Sequence, residues 1–79
     1  MDSEFILDTD AFAELATRLV ATRKLQKLSR SQAASVCNVS ASFIRDAETE
    51  PGRCSLAKLM QVINGLGLRM SITGWQAEP

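Results

Sequence analysis

The chain has 79 residues and a formal charge of zero, with nine acidic and nine basic side chains, no histidine and two cysteines. This length allows one domain, which buries only about 60% of its unfolded surface and therefore favours association with a second copy. The apolar runs are too short for a bilayer span or a signal peptide, so we expect a cytoplasmic protein. Because the sequence has no histidine, we expect neither a metal site nor a cysteine protease at Cys37 and Cys54.

The first predicted helix follows an N-terminal segment and ends near Leu25. Asp8 can cap its amino end, with Leu7 and Phe12 as a hydrophobic staple around the cap. Apolar side chains then recur at helical spacing and predict one buried stripe. The stripe consists of Phe12, Leu15, Ala16 and Leu19.

A short helix is predicted from Ser29 to about Val36. Ser29 can cap this helix, and Gln32 stands where a capping box needs its reciprocal partner. Asn38 follows, and asparagine tolerates the left-handed backbone that a tight turn requires. We therefore expect the chain to turn at Asn38 and to enter another helix at once.

A second short helix is predicted from Ser40 to about Glu48, with Ser40 as its cap and Val39 and Ile44 as its staple. Small apolar side chains face each other on the two short helices, which allows a close, steep crossing. These side chains are Ala33, Ala34, Cys37, Ile44 and Ala47. This layout is typical of a DNA-reading helix pair, although capped amphipathic helices also occur in helical domains of other function.

Charge is distributed unevenly along the chain. Acidic residues crowd the beginning, and a basic block with no acidic residue inside it coincides with the predicted helix pair. The acidic residues are Asp2, Glu4, Asp8, Asp10 and Glu14, and the basic ones are Arg18, Arg23, Lys24, Lys27, Arg30 and Arg45. A solvated surface of mixed charge is the alternative, but the coincidence with the helix pair favours contact with phosphates.

The last predicted helix begins at Ser55 and is ended by Gly65 and Gly67. Its predicted apolar stripe consists of Leu56, Leu59, Met60, Ile63 and Leu66. The connection before it, residues 50–53, has the composition of a loop and places Arg53 beside the start of the helix. Helix starts attract phosphate.

After Gly67 the apolar period changes from helical spacing to alternation, which predicts one short strand. A lone strand has no partner for its backbone groups, so we expect it to pair with the same strand of a second copy across a dyad. Leu68, Met70 and Ile72 would then form the dimer interface. The alternative is a frayed tail, which the composition favours only from Trp75 onward.

Together these elements predict an all-α fold, a compact helix-turn-helix domain of four to five helices with one short C-terminal β-strand that pairs across a homodimer. The predicted organisation is an N-terminal segment at residues 1–7, the helix-turn-helix domain at 8–67, the dimerisation strand at 68–73 and a tail at 74–79. We expect neither an enzyme nor a cofactor, because the sequence offers no histidine, no phosphate-cradling glycine loop and no carboxylate pair in an evident cleft.

Four segments, LSRSQAA, VSASFIRDAE, SLAKLMQVINGLGL and RMSI, make the chain from Phe12 to Ile72 resemble the Xre/Cro-type helix-turn-helix family, specifically its HipB-like members. The resemblance implies an antitoxin and repressor that dimerises through its C-terminal strand, binds palindromic operators in its own promoter and partners a HipA-like kinase toxin. Two alternatives remain. One is a module that neutralises a kinase toxin by direct contact, and the other is a plain Xre-type repressor without a toxin.

The same resemblance implies a set of DNA-contacting residues. The base-facing positions of the reading helix are Ser40, Ala41, Ser42, Arg45 and Asp46. Ser29 and Arg30 match positions that contact the DNA backbone. Lys27 is added from the basic block, and Arg53 and Ser55 from their place at the start of the last helix. The predicted phosphate contacts are therefore Ser29, Arg30, Lys27, Arg53 and Ser55.

Other positions carry further expectations from the resemblance. Arg23 and Glu48 match an arginine and a glutamate that pair inside the fold. Glu50 stands where a glycine is usual, so we expect the exit from the reading helix to be reshaped. Arg45 is the best candidate for base reading, since the neighbouring positions depart from the usual amide or basic side chains. The acidic N-terminal segment and Trp75 are the expected toxin contacts.

Overall fold

The computed structural model describes residues 11–71, and within them the chain is helical. The helices are α1 at Ala11–Leu25, α2 at Arg30–Cys37, α3 at Ala41–Thr49 and α4 at Leu56–Gly65, with one 3-10 turn at Pro51–Arg53. The all-helical helix-turn-helix domain is thus confirmed for this part of the chain. Helices α2 and α3 each begin and end one residue later than predicted. The later start follows because Ser29 and Ser40 are N-caps outside the first helical turn, and the ends are set by the C-caps Asn38 and Glu50.

Local hydrogen bonds fix both ends of the α2–α3 turn. The Ser29 hydroxyl accepts the backbone N–H of Gln32 at 3.0 Å, and the Gln32 side chain accepts the backbone N–H of Ser29 at 2.8 Å. This is the predicted capping box. Asn38 ends α2 in the left-handed conformation with φ 61°, and the Ser40 hydroxyl then accepts the N–H of Phe43 at 3.0 Å. Both predictions are confirmed.

The core lies around α3, which packs against α1 and α2, while α4 packs against α2. All five small apolar positions predicted for the helix crossing are buried. The core cluster contains Leu15, Leu19, Ala33, Ala34, Cys37, Ile44, Ala47, Leu59, Val62, Ile63 and Leu66. Because α2 and α3 are short and joined by a tight turn, burial of one face of each holds the pair as one unit.

The apolar stripe of α4 was predicted correctly only in part. Leu59, Ile63 and Leu66 are buried, but Leu56 and Met60 are 62% and 38% exposed, so their assignment to the core was wrong. Each helical residue advances by about 100°, and the buried positions, which include Val62, span an arc of roughly that width. Leu56 lies at the edge of the arc and Met60 beyond it.

Gly65 brings α4 close to α2. A Cβ atom at this position would lie 2.6 Å from Sγ and 2.9 Å from Cα of Cys37. Helix α4 ends at Gly65, as predicted, and Gly67 follows in the left-handed region with φ 86°. Gly65 therefore serves helix packing, whereas Gly67 serves the turn.

Residues 68–71 form no strand within this single chain, and Leu68 and Met70 pack partly against the core. A strand that pairs with a second copy requires that copy, so the dimerisation strand stays a prediction. Ile72, Trp75, the cap Asp8 with its staple residue Leu7, and the remainder of the N-terminal segment and tail lie outside the described residues. The predicted domain boundaries also stay predictions.

Candidate nucleic-acid interface

One face of α3 is open to solvent along its whole length. Ile44, Ala47 and Glu48 are buried on the inner face. The outer face holds every residue predicted to read bases, and each is exposed: Ser40, Ala41, Ser42, Arg45 and Asp46. The sequence therefore placed the division between the two faces correctly.

Two chemical properties make this outer face suited to recognition. Within residues 11–71 the guanidinium of Arg45 has neither a hydrogen-bond nor an ion-pair partner. The Ser40 hydroxyl, which lies 3.3 Å from the hydroxyl of Ser42, uses an oxygen lone pair to cap α3. A capping serine keeps the capacity to donate its own hydroxyl proton. Because the hydroxyls of Ser40 and Ser42 share one hydrogen bond, one of their two protons stays free, as do the side-chain donors of Arg45.

An open groove lies beside the outer face, between α3 and the start of α4. Its volume is about 350 Å³, and its lining residues are Phe43, Asp46, Glu50, Arg53, Cys54, Ser55 and Lys58. It brings two predicted phosphate contacts, Arg53 and Ser55, next to the reading helix. The Ser55 hydroxyl caps α4 by accepting the N–H of Lys58 at 3.3 Å. Arg53 is 80% exposed and only 3.9 Å from Glu50 in a weak ion pair.

Four residues of this groove, Phe43, Glu50, Cys54 and Lys58, were not predicted as site residues, and two of them face each other. The ammonium group of Lys58 lies 6.0 Å from the ring centroid of Phe43, at the outer limit of a cation–π contact. Lys58 is exposed and Phe43 half-buried. The sequence carries a signal for Lys58, because a basic residue three positions after the predicted cap Ser55 lies in the first turn of the helix, beside the predicted phosphate contacts.

The exit from α3 is shaped by Glu50 and Pro51. Glu50 caps the helix with φ −139°, a conformation that needs no glycine, and its N–H donates to the Asp46 carbonyl at 2.7 Å. Pro51 is buried and begins the 3-10 turn that carries Arg53. This turn occupies the connection for which only a loop was predicted.

The cysteines have no feature of reactive thiols. Burial raises the pKa of Cys37, which lies in the core. Burial, followed by the nearby carboxylates of Asp46 and Glu50, raises the pKa of Cys54. Both thiols therefore stay protonated near neutral pH. In the described part of the chain, no three cysteine or acidic side chains group together in a way that could hold a metal ion.

A buried ion cluster joins the inner face of α3 to α1 and α2. Arg23 donates from Nε to Oε2 of Glu48 at 2.6 Å and from Nη2 to Oε1 at 3.2 Å. Its Nη1 donates to the Leu28 carbonyl at 2.9 Å. Side-chain exposure is 10% for Arg23 and 3% for Glu48. The internal pairing implied by the family resemblance is therefore confirmed.

Arg30 joins this cluster, which was not predicted. Its Nε donates to Oε1 of Glu48 at 3.1 Å, while its side chain remains 46% exposed. Burial alone would raise the pKa of Glu48, but the N–H groups and positive charges of Arg23 and Arg30 outweigh this effect, so the pKa lies below its ordinary value. Glu48 is therefore a carboxylate at neutral pH.

The remaining predicted phosphate contacts lie at the start of α2. Ser29 is exposed and caps the helix, and Arg30 is its first residue. Lys27 is exposed in the preceding turn and has φ 60°, a left-handed conformation that is uncommon for lysine.

None of the four helices within residues 11–71 is long and apolar enough to cross a membrane.

Comparison with known proteins agrees with this geometry. The sequence matches the model of the helix-turn-helix domain over residues 8–73. No curated protein matches the sequence. A chain from the structure of a HipA-HipB-O2-O3 complex has a TM-score of 0.76 and 18% identity, with 94% of this chain and 100% of that chain covered.

Two further solved structures give the same result. A chain described as MDT protein has a TM-score of 0.76, 18% identity and coverage of 94% of this chain and 100% of its own. A chain from a complex of a HipB variant with an O2 20mer has a TM-score of 0.76 and 16% identity, with 95% of this chain and 100% of that chain covered. These identities show a shared fold. Since the family model extends over residues 8–73 and includes all four helices, the chain belongs to the helix-turn-helix domain family.

Proposed function

We propose that the chain is a sequence-specific DNA-binding repressor that reads duplex DNA with the outer face of α3. The observation that supports the proposal best is the open, capped flank of this helix, on which Arg45 has no partner in the described structure. A helix of this kind enters the major groove. Arg45 there contacts guanine through two hydrogen bonds, and Ser40 and Ser42 donate to base edges or phosphates.

The phosphate contacts in this proposal come from the starts of α2 and α4. Ser29 and Ser55 cap these helices and keep a hydroxyl proton to donate, and backbone N–H groups at helix starts favour anions. Arg30, Arg53 and Lys27 add positive charge at these starts. Such contacts set the register of the protein on the duplex, while the bases give it specificity.

One α3 helix can read only a few base pairs, so the proposed protein acts as a homodimer on a palindromic operator. Residues 68–73 pair with the same segment of a second copy, with Leu68, Met70 and Ile72 at the interface. The helix-turn-helix domain at 8–67 then presents two reading helices about 34 Å apart on one side of the duplex. In this organisation residues 1–7 and 74–79 flank the DNA-binding and dimerisation units.

We also propose that the chain is the antitoxin of a HipBA-like toxin-antitoxin system and represses its own promoter. The partner would be a HipA-like kinase. This finer proposal is supported by the shared fold with a chain solved in a complex whose components are HipA, HipB, O2 and O3. A repressor with no toxin, or a module that neutralises the kinase by contact alone, would have the same fold.

Selection of duplexes from a random-sequence library on the full chain tests the reading face. Substitution of Arg45 by alanine should relax the preference at one base pair of each half-site, a loss of about 1–3 kcal/mol of discrimination there. The control is Arg18→Ala, because Arg18 is a similarly charged residue on α1 that pairs with Glu14 at 3.7 Å. The control should select the same sequence as the parent chain.

If Arg45→Ala enriches the parent sequence with undiminished preference, the reading face has been assigned to the wrong residues. If the full chain enriches no duplex, the proposal of sequence-specific binding fails as a whole.

The toxin partnership has its own test. A HipA-like kinase encoded beside this chain should co-purify with it, and a chain truncated after Thr73 should capture less kinase if Trp75 is an anchor of the interface. Unchanged capture would remove Trp75 from the interface. Absence of any capture would leave the plain repressor.

A further inference from the structure

Glu48 accepts hydrogen bonds from two arginines that differ in how many of their donors are used. Arg23 uses Nε and Nη2 on Glu48 and Nη1 on the Leu28 carbonyl, so each of its nitrogens is engaged. Arg30 uses only Nε on Glu48. Its two Nη groups have no partner among residues 11–71. All donor nitrogens of Arg23 are therefore used within the fold, whereas Arg30 is held by the fold through Nε alone.

The anchoring leaves the outer end of Arg30 free for a ligand. A guanidinium is planar and has five N–H donors, so a bond through Nε leaves four donors on the two Nη groups. Two of these are spaced to contact two oxygens of one phosphate. The Arg30 side chain is 46% exposed, whereas the Glu48 side chain is 3% exposed. The guanidinium therefore extends from a buried acceptor towards solvent.

The net charge of the cluster also favours an anion at Arg30. The cluster contains two guanidinium groups and one carboxylate, so one positive charge is not compensated. Glu48 and Arg23 are both buried, and Arg30 is the member that reaches the surface. It does so at the first residue of α2, beside the Ser29 cap, where backbone N–H groups also favour an anion.

We propose that Glu48 is a positioning residue for DNA binding. Its carboxylate, fixed by Arg23, holds Arg30 through Nε so that both Nη groups contact one phosphate of the duplex. The inference rests on the proposed DNA-binding function and deepens it. It assigns a recognition role to a buried residue that touches no DNA itself.

This arrangement requires arginine at position 30. Lysine has the same charge but a single nitrogen on a flexible stem, so it cannot satisfy the buried carboxylate and clasp a phosphate with fixed geometry. Because Glu48 already orders the Arg30 side chain in the free protein, less side-chain entropy is lost when DNA binds. A surface charge that acted only through its sign would work equally well as lysine.

The test is the affinity of Arg30→Lys for the duplex that the full parent chain selects from a random library. We expect this variant to lose most of the affinity that Arg30→Ala loses, about tenfold or more. The control is Arg18→Lys, which changes another half-exposed arginine that pairs with a carboxylate. It should bind like the parent chain. Unfolding free energies of all variants, measured in urea, correct for any loss of folded protein.

Affinity equal to that of the parent chain in Arg30→Lys would overturn the inference while the proposed function stands. A variant that unfolds more easily but, once folded, binds undiminished would also overturn it, because the cluster would then be only structural. Failure of the parent chain to select any duplex would remove both the proposed function and the inference.

Nuclear magnetic resonance gives a readout that does not depend on the operator. The Nε–H resonance of Arg30 in the free chain should exchange slowly with water, and it should exchange fast in Glu48→Gln if the carboxylate is the anchor. On addition of DNA the Nε–H resonance should persist and the Nη protons should become protected. Fast exchange of the Arg30 Nε–H in the parent chain would contradict the proposed geometry.

Discussion

The two faces of α3 are built by opposite rules. The inner face has small or branched apolar side chains, Ile44 and Ala47, that are at most 1% exposed, and one charged residue whose oxygens all have partners. The outer face has short polar side chains and Arg45, which lacks a partner in the described structure. Nine residues thus hold a packed surface and an open one side by side.

This contrast separates stability from recognition along one helix. The inner face holds α3 against α1 and α2, so its residues are set by packing. The outer face makes little contribution to packing, and its residues are free to differ in what they recognise. Glu48 is where the two meet, since it is buried yet bonded to the exposed Arg30. Substitutions on each face therefore test the separation.

The largest expected effect comes from removing Glu48. Glu48→Ala leaves the buried guanidinium of Arg23 without its carboxylate, and breaking a buried pair in this way costs about 3–5 kcal/mol. Urea unfolding followed by circular dichroism measures the loss. The control is Glu50→Ala, two residues further along the chain, whose side chain is 65% exposed. The control should change the free energy of unfolding by no more than about 0.5 kcal/mol.

The same residue gives the domain an acid dependence. The pKa of Glu48 is lower in the folded chain than in the unfolded chain, so the unfolded state takes up this proton first as the pH falls. The contribution of Glu48 to stability is complete above the ordinary pKa that the carboxyl group has in the unfolded chain, and it is lost as the pH falls through the lower folded pKa. Glu48→Gln should flatten this part of the stability profile. An unchanged acid slope would show that other carboxylates cause it.

Local signals explain why the sequence predicted the helix pair well. The capping box at Ser29 and Gln32, the left-handed turn at Asn38 and the cap at Ser40 involve residues at most four positions apart. The partners of these hydrogen bonds are close together in the chain, so their pattern is readable in one sequence. The open flank of α3 followed from helical periodicity alone.

Contacts between residues far apart in the chain were harder to predict from the sequence. The pairing of Arg23 with Glu48 spans 25 residues and came only from the family resemblance. The link from Arg30 to Glu48 depends on how α2 crosses α3, which periodicity does not fix. The exposure of Leu56 and Met60 has a similar cause. An apolar residue at helical spacing is buried only where another element covers it, and neither residue lies within the covered arc of α4.

The sharpest test of the two faces is one substitution made on each of them. Ala47 is fully buried between helices, and leucine there has to displace its neighbours, which costs about 1–3 kcal/mol. Ala41 is exposed at the start of the same helix, so leucine there should change stability by no more than about 0.5 kcal/mol. Urea unfolding of both variants measures this difference.

Duplex selection should reverse the order of the two variants. Ala41→Leu places an apolar side chain on the proposed reading face and should change which base pairs are enriched, because thymine methyl groups accept apolar contact and hydrogen-bonding groups do not. Ala47→Leu should select the parent sequence with lower occupancy, since its folded fraction presents the same outer face. If both variants lose stability equally, or if Ala47→Leu changes the selected sequence, packing and recognition on α3 are coupled and the separation argued from burial is wrong.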